Sequence, residues 1–266
     1  MTSTDLGYFG PDSVTWRVHG EPVSMVGGLR ALLLQALHPG AMALLYSSSN
    51  FQDDPWARLQ RTVGYVATLS FAPREAADRA AERVRAVHAS LGVTDTEQLA
   101  WVHLCLVDSF LTAARASGLG LSTADTDRYV DEQAIAARLV AVPDELVPHT
   151  QDELTEAIAR MRPRLRGTRE AREAARYVIA PPLPIPVRYR IPARAGWTTV
   201  SSLAVGLLPP WARRMYRLPP APGAGLVASA GLRTLRTAVR VLPARYREGP
   251  AYRAAKARAA ADRGPG

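Results

Sequence analysis

The chain has 266 residues, of which 47% are hydrophobic and 21% charged, a balance typical of a globular protein and not of a disordered one. Its single cysteine, Cys105, excludes an intrachain disulfide and a zinc site built on cysteines. No secretory pattern starts the chain, and its longest apolar runs fall short of the roughly 18 residues that cross a bilayer, so we expect a cytoplasmic protein without a transmembrane segment.

Positive charge is concentrated in the C-terminal part of the chain. Residues 1–160 carry a net charge of −8, whereas residues 161–266 carry +17. We expect this basic segment mainly to pack on the acidic body of the same protein. Peripheral contact with an anionic membrane surface and pairing with a ligand's carboxylates are alternatives, and no recognition motif in the sequence supports nucleic acid as a partner.

Helical patterns follow one another along the first half of the chain. An apolar stretch over residues 28–45 predicts helix and is interrupted at His38-Pro39, where proline removes a helical hydrogen bond. Asp53-Asp54-Pro55 combines an acidic cap with proline and predicts a helix that runs to about residue 70. Ala72-Pro73 predicts the start of the next helix, which continues to about residue 91.

Two capping-box patterns predict the following helix starts. Thr94-Asp-Thr-Glu97 leads a predicted helix through about residue 115, and Ser122-Thr-Ala-Asp125 leads one to about residue 140. A further helix is predicted over residues 152–160.

The helical pattern is interrupted at residues 180–186, a proline-rich connector that favours an extended backbone. Short helices at about residues 212–217 and 228–241 and a frayed basic tail are predicted beyond it. Since no alternating strand pattern accompanies these segments, the sequence predicts an all-α fold. We expect residues 1–179 to form a helical body and residues 180–266 to wrap it as part of the same domain.

The chemistry-bearing residues lie on two successive predicted helices. On the first, Arg58, Thr62, Tyr65 and Leu69 are spaced by four, three and four residues, so they share one face, and Arg61 borders that face.

On the second predicted helix, one histidine lies in an otherwise apolar stripe. Ala77, Ala81, Val84, His88 and Leu91 recur at spacings of four and three residues, which places His88 on the inward face. Histidine is a normal axial ligand of haem iron, and small neighbours leave space for a flat macrocycle. A lone histidine on an apolar face is also typical of a core residue that is satisfied by hydrogen bonds, and the spacing alone does not decide between the two.

Other histidines have competing interpretations. His38 is expected to cap the interrupted helix, with contact to a haem propionate as the alternative. His103 is a reserve candidate for the axial position. Asp108 lies on an apolar stripe of the same helix and must be paired, with either an arginine or a ligating histidine. His19 and His149 lie near predicted loops and are expected to be exposed to solvent.

Arg58-x-x-Arg61-Thr62 followed by Val84-Arg-x-x-His88 resembles the core of the family that contains the latex clearing protein (rubber oxygenase) and the fungal mpaB oxygenase. Other segments that resemble its bacterial members follow in the same order: Leu34-Gln-Ala-Leu-His38-Pro39, Phe51-x-x-Asp54-Pro55, Trp101-Val-His103-x-x-Leu-Val-Asp108-Ser-Phe110 and Leu207-Leu-Pro-Pro-Trp211. The resemblance covers roughly residues 17–250. It implies a helical fold related to a globin-like core and one b-type haem, with His88 as the proximal iron ligand and Arg58, Arg61 and Thr62 on the distal side.

Two departures from the rubber oxygenases bear on the reaction. Those enzymes carry a lysine at the position of Arg61, and that lysine can occupy the sixth coordination site, whereas a guanidinium stays protonated and cannot ligate iron. They also place a carboxylate base upstream of the arginine motif, but this chain has no acidic residue between Glu21 and Asp53. The sequence therefore points away from polyisoprene cleavage by the same route.

The sequence thus predicts a haem b-dependent oxygenase or related oxidoreductase that acts with dioxygen or peroxide on a small, largely apolar substrate. Arg61 and Thr62 are expected to polarise the oxygen species, and Arg58 to orient the distal groups or pair with a propionate. The alternative is a non-catalytic helical protein that binds haem or a lipid-like ligand and docks through its basic C-terminal segment.

Overall fold

The computed structural model describes residues 4–48, 55–182 and 186–262, which form α-helices and no β-strand, as the sequence predicts. The helices of the N-terminal part are α1 (Val14–His19), α2 (Ser24–Gln35), α3 (Pro39–Ser48), α4 (Pro55–Phe71), α5 (Arg74–Ser90), α6 (Thr96–Ala116), α7 (Thr123–Leu139), α8 (Gln151–Met161) and α9 (Arg169–Ile179). Those of the C-terminal part are α10 (Val187–Gly206), α11 (Pro210–Met215), α12 (Ala224–Arg240), α13 (Ala244–Arg247) and α14 (Pro250–Asp262).

Prolines and caps begin the helices where the sequence predicts. The apolar stretch breaks between α2 and α3, and Pro39 opens α3. Pro55 is the first residue of α4, while the predicted acidic cap at residues 53–54 lies outside the described residues. The Ser122 capping box is present in full. The cap of α6 is Asp95 and not Thr94, because the Asp95 carboxylate accepts the N–H groups of the first turn.

Five helices were not predicted as such, namely α1, α9, α10, α13 and α14. The frayed basic tail is the clearest error, because α14 is regular and buries Ala255 and Ala259 against Trp16 and Phe71. The ring of Tyr252 in α14 also lies 4.9 Å from that of Phe71. Apolar contact with a distant N-terminal helix thus orders a segment whose own composition is basic and alanine-rich.

The centre of the fold is the contact between α2 and α6. Gly27 of α2 lies against the backbone of Ser109 and Phe110, so that an added Cβ would approach both to about 3.0 Å. Gly27 is therefore a packing residue inside α2. Among the described residues α6 is the one helix long and apolar enough to cross a membrane, but most of that stretch is buried inside this core.

The buried guanidinium of Arg30 links the helices of this core. The guanidinium of Arg30, whose residue is 4% exposed, donates to the Asp108 carboxylate and the Ser109 hydroxyl at 2.7 Å each. Its Nε also donates to the carbonyl of Leu207 at the end of α10, at 3.0 Å. An arginine is thus the partner of Asp108, one of the two partners that the sequence allowed. The three hydrogen bonds join α2, α6 and α10 at one point.

The C-terminal helices pack directly on this centre. Gly206 of α10 lies close to Ala228 of α12, and Gly231 of α12 lies close to Leu203, so the two helices run antiparallel. Glu21, near the start of α2, accepts from Arg236 and Arg240 of α12 at 2.8 and 2.9 Å. The domain boundary at residue 180 and the relation to a globin-like core stay predictions.

Replacing Arg30 should destabilise the fold strongly, because Asp108 would lose its cation and the Leu207 carbonyl its donor. We expect Arg30→Leu to lower the free energy of unfolding by about 3 kcal/mol, measured by urea denaturation. The matched control is Arg79→Leu, which breaks an exposed ion pair with Glu75 and should change stability by less than about 0.5 kcal/mol. Equal effects of the two changes would contradict the assignment of Arg30 as a central contact.

Candidate functional site

The two helices that carry the motif residues form a hairpin. α4 and α5 pack on each other and are joined by Ala72 and Pro73 alone. Along α5 the predicted inward stripe is correct, since Ala77 and Ala81 are fully buried and His88 is half-buried between exposed neighbours. Burial thus declines toward the end of the hairpin where His88 lies.

His88 is the residue of this hairpin that most needs a partner. Its Nδ1 is buried, and neither ring nitrogen has a hydrogen bond within the described part of the chain. Burial lowers the pKa of the imidazole, so the ring is neutral near pH 7 and offers a lone pair. Since buried polar atoms are normally hydrogen-bonded, an unpartnered ring nitrogen is a sign of a ligand site.

Tyr65 on the facing helix has the same property. Its hydroxyl is buried and has no hydrogen-bond partner among the described residues. Burial raises its pKa to about 12, against the opposing charge of Arg85, so the hydroxyl keeps its proton and can donate it. Arg85 itself donates to the carbonyl of Leu139 at 2.6 Å.

The three predicted distal residues differ in how the structure places them. Arg61 is exposed and makes no hydrogen bond or ion pair within the described part of the chain. Thr62 is half-buried and does interact with its surroundings. The side chain of Arg58 lies outside the described residues, so its predicted role is untested.

An aromatic contact packs α10 against the start of α4. The rings of Trp56 and Trp197 meet edge to face with centroids 5.5 Å apart. The indole nitrogen of Trp197 donates to the carbonyl of Val178 at the end of α9, at 3.1 Å. The beginning of the motif helix is thus bordered by α9 and α10, helices that the sequence analysis did not identify.

His38 has the structural role that the sequence favours. Its Nδ1 accepts the N–H of Ala41 at 3.2 Å and so caps α3 after the break. Burial lowers its pKa, although the charges of Asp95 and Glu97 oppose that shift. Contact with a propionate stays a prediction.

His103 is a second unpartnered histidine. It is 6% exposed, its Nε2 has no partner among the described residues, and burial lowers its pKa to about 4. Its deep position in α6 and its free ring nitrogen keep it a candidate ligand beside His88.

His19 is not the solvent-exposed residue that the sequence predicts. Because the Ser70 hydroxyl donates to the Val66 carbonyl at 2.7 Å, the Nδ1–H of His19 donates to Ser70 at 2.6 Å. Its Nε2 then accepts the hydroxyl of Tyr129 at 2.9 Å. Burial lowers the pKa of His19 to about 3. This satisfied network ties α1 to α4 and α7, over separations of 51 and 110 residues that no local pattern reveals.

His149, by contrast, is half-exposed and pairs with Asp131 at 2.6 Å, as its position near a loop suggests.

The donor set restricts which metal group the site fits. Within the described residues no three or more histidine, cysteine or acidic side chains gather as they would around a bare metal ion. A single neutral imidazole is instead the kind of ligand that suits an ion whose other ligands come from a planar macrocycle.

Comparison with known proteins gives one family. The family model described as ER-bound oxygenase mpaB/B'/Rubber oxygenase, catalytic domain, matches residues 16–244. No curated protein and no solved structure gives a significant match.

The half-buried, hydrogen-bonded state of His19 predicts a dependence of stability on pH. The imidazole is neutral in the folded protein down to a pKa of about 3, whereas in the unfolded chain it is protonated below its ordinary pKa near 6.5. Its contribution is therefore complete above pH 6.5 and is lost as the pH falls toward 3, with a slope of up to about 1.4 kcal/mol per pH unit. Urea unfolding between pH 7.5 and 5 measures that slope. His19→Gln should give a shallower one, and an unchanged slope would show that His19 does not titrate on unfolding.

Proposed function

Because the chain belongs to the mpaB/rubber oxygenase catalytic-domain family, whose members are oxygenases, we propose that it is a haem b-dependent oxygenase with His88 as the axial ligand. The observation that carries this proposal is the buried, neutral and unpartnered imidazole of His88 at the family's histidine position. A ring nitrogen without a hydrogen bond costs stability in the free protein, and coordination of a metal would remove that cost.

Haem fits these residues better than a bare ion does. One imidazole leaves a bare ion short of ligands, whereas the four pyrrole nitrogens of a macrocycle require only an axial ligand from the protein. Bound haem would supply the redox chemistry by which the enzyme uses dioxygen or peroxide.

The side chains of α4 then have distinct tasks. Arg61 is an exposed, permanently charged donor, so it suits a carboxylate at the mouth of the site, either a propionate or a substrate group. Thr62 and Tyr65 share the α4 face with the Arg58 position, and the Tyr65 hydroxyl is a buried donor that faces no acceptor of its own protein. Arg58 is assigned to this group by its place in the motif alone.

The surroundings support a small, largely apolar substrate. The start of α4 meets the Trp56–Trp197 pair, and Val66 of the same helix packs against the main core. Such walls exclude water and favour apolar groups, while the few polar atoms orient them.

A carboxylate base upstream of the arginine motif, of the kind proposed for rubber oxygenases, has no counterpart in the sequence between Glu21 and Asp53. Glu21, the last acidic residue before that gap, is bound by Arg236 and Arg240. Burial raises its pKa, but the hydrogen bonds and charges of those arginines outweigh burial and hold the pKa below its ordinary value. Glu21 is therefore committed to a structural ion pair, and we propose a reaction other than polyisoprene cleavage.

The axial assignment is tested by absorption spectroscopy of the protein expressed with added haem. We expect a Soret band in the wild type, its loss or a marked shift in His88→Ala, and partial recovery in His88→Gly when imidazole is supplied. His103→Ala is the matched control, because it also removes a buried unpartnered histidine, and it should keep the wild-type band. The opposite pattern would make His103 the ligand, and a colourless wild type would favour the non-catalytic alternative.

The distal position is tested by Arg61→Lys. A guanidinium cannot ligate iron, whereas a lysine amine can when it is deprotonated. We therefore expect a spectrum sensitive to added azide or cyanide in the wild type and a low-spin, less sensitive one in Arg61→Lys. Identical spectra and identical anion binding in the two proteins would show that residue 61 does not reach the distal side.

A further inference from the structure

The segment that contains α10 to α13 has an unusual charge. Residues 174–247 include 12 arginines and no acidic residue or lysine. Such a segment is attracted to anionic partners over the length of its surface.

Within this segment, α12 has two different faces. Its inner face buries Ala228 and Leu232, and Leu235 packs against the same cluster with α2, α6 and α10. The helical period places Leu226, Ala230, Arg233, Thr237 and Val241 on the opposite side. The exposed side of α12 therefore carries no acidic group and no strongly polar side chain other than arginine.

Large apolar side chains on that side are almost fully exposed. Leu226 is 79% exposed, Val227 74% and Val241 81%, and Tyr246, shortly beyond the helix, is 68% exposed. They follow one another over some 20 residues, whereas exposed apolar residues elsewhere are normally scattered singly. Two exposed apolar patches thus stand at the two ends of α12, Leu226 and Val227 at its start and Val241 and Tyr246 at its end, and apolar patches rimmed by polar groups mark interaction sites.

The arginines between and beside these two patches are only partly neutralised. Arg236 and Arg240 share the single carboxylate of Glu21, so the three groups together keep a positive charge. Arg233 makes no ion pair within the described residues, and the Arg245 guanidinium lies over the ring of Tyr246, 4.7 Å from its centroid.

We propose that the exposed face of α12 and the following turn, residues Leu226, Val227, Arg233, Val241, Arg245 and Tyr246, bind the surface of an anionic lipid bilayer. The helix lies in the membrane plane, with its apolar side chains among the acyl-chain ends and its arginines on the lipid phosphates. The inner face of α12 stays on the protein, so docking needs no unfolding. This proposal is independent of haem.

Charge argues against the other occupants. A second copy bound through the same patch would set arginine against arginine with no carboxylate between them. A nucleic acid would use the arginines but would gain nothing from Leu226, Val227 and Val241, because its backbone offers no apolar contact.

Vesicle flotation of the full-length protein tests the proposal. We expect binding to vesicles of phosphatidylcholine with phosphatidylglycerol, weakening as salt is raised, and little binding to phosphatidylcholine alone. The double variant Leu226→Asp/Val227→Asp should bind anionic vesicles at least about tenfold more weakly, because burial of two apolar side chains is lost. Circular dichroism should show an unchanged fold, since both positions are exposed.

The matched control is Met25→Asp, which places the same charge at a half-exposed apolar residue of α2, outside the proposed surface. It should leave vesicle binding unchanged. Leu226→Trp reports insertion directly, and its emission should shift to the blue and be quenched by brominated lipids when anionic vesicles are added.

Several results would overturn the proposal. One is the absence of binding to anionic vesicles at low salt. Another is an equal loss of vesicle binding in Met25→Asp and in the double variant. A third is vesicle binding that leaves the Leu226→Trp emission unchanged. A dimer in sedimentation that the double variant dissociates, without vesicle binding, would identify the surface as a contact between copies. Duplex DNA binding that the double variant retains, without vesicle binding, would identify a nucleic-acid surface.

Discussion

The contact on which this fold most depends is the guanidinium of Arg30, buried between α2, α6 and the end of α10. An isolated charge at that depth would be costly, so its presence requires that Asp108, Ser109 and the Leu207 carbonyl stay in place around it. Gly27, one turn before Arg30, removes the side chain that would hold α2 and α6 apart. The close helix crossing and the buried charge are therefore parts of one arrangement, and they link the N-terminal and C-terminal halves of the chain.

The candidate site lies away from this satisfied centre, on the α4–α5 hairpin. Around Arg30 and around His19 the polar groups described above find partners, whereas His88 Nδ1 and Tyr65 Oη do not. The contrast matters because a hydrogen bond absent from a buried group lowers stability in the free protein. Two such groups on facing helices, in a chain whose family is an oxygenase catalytic domain, are the physical basis for proposing a bound cofactor there. The same contrast separates His38 and His19, which serve the fold, from His88 and His103, which are available to a ligand.

Local sequence signals predicted well where the helices start, but they did not predict which distant residues contact each other in the fold. Pro39, Pro55 and the Ser122 capping box act within one turn of helix, so their effects follow from neighbouring residues. By contrast, α14 is ordered by Trp16 and Phe71, which lie some 180 to 240 residues earlier in the chain. His19 was misjudged for the same reason, since its two partners are distant in sequence and its neighbours resemble a loop. Arg30 carried no signal at all, because an arginine in an apolar run is interpretable only once the facing carboxylate is known.

By itself the sequence determined the helical class, the main breaks and caps, and the succession of motifs that identifies the family, because each of these depends on short-range geometry or residue order. It also placed Arg58, Thr62 and Tyr65 on one face and His88 in an apolar stripe. Only the tertiary structure decided which buried polar groups are satisfied: Asp108 by Arg30, His19 by Ser70 and Tyr129, and neither His88 nor His103 among the described residues. That outcome is a matter of long-range packing, since whether a buried ring nitrogen has a partner depends on which distant helices are brought against it.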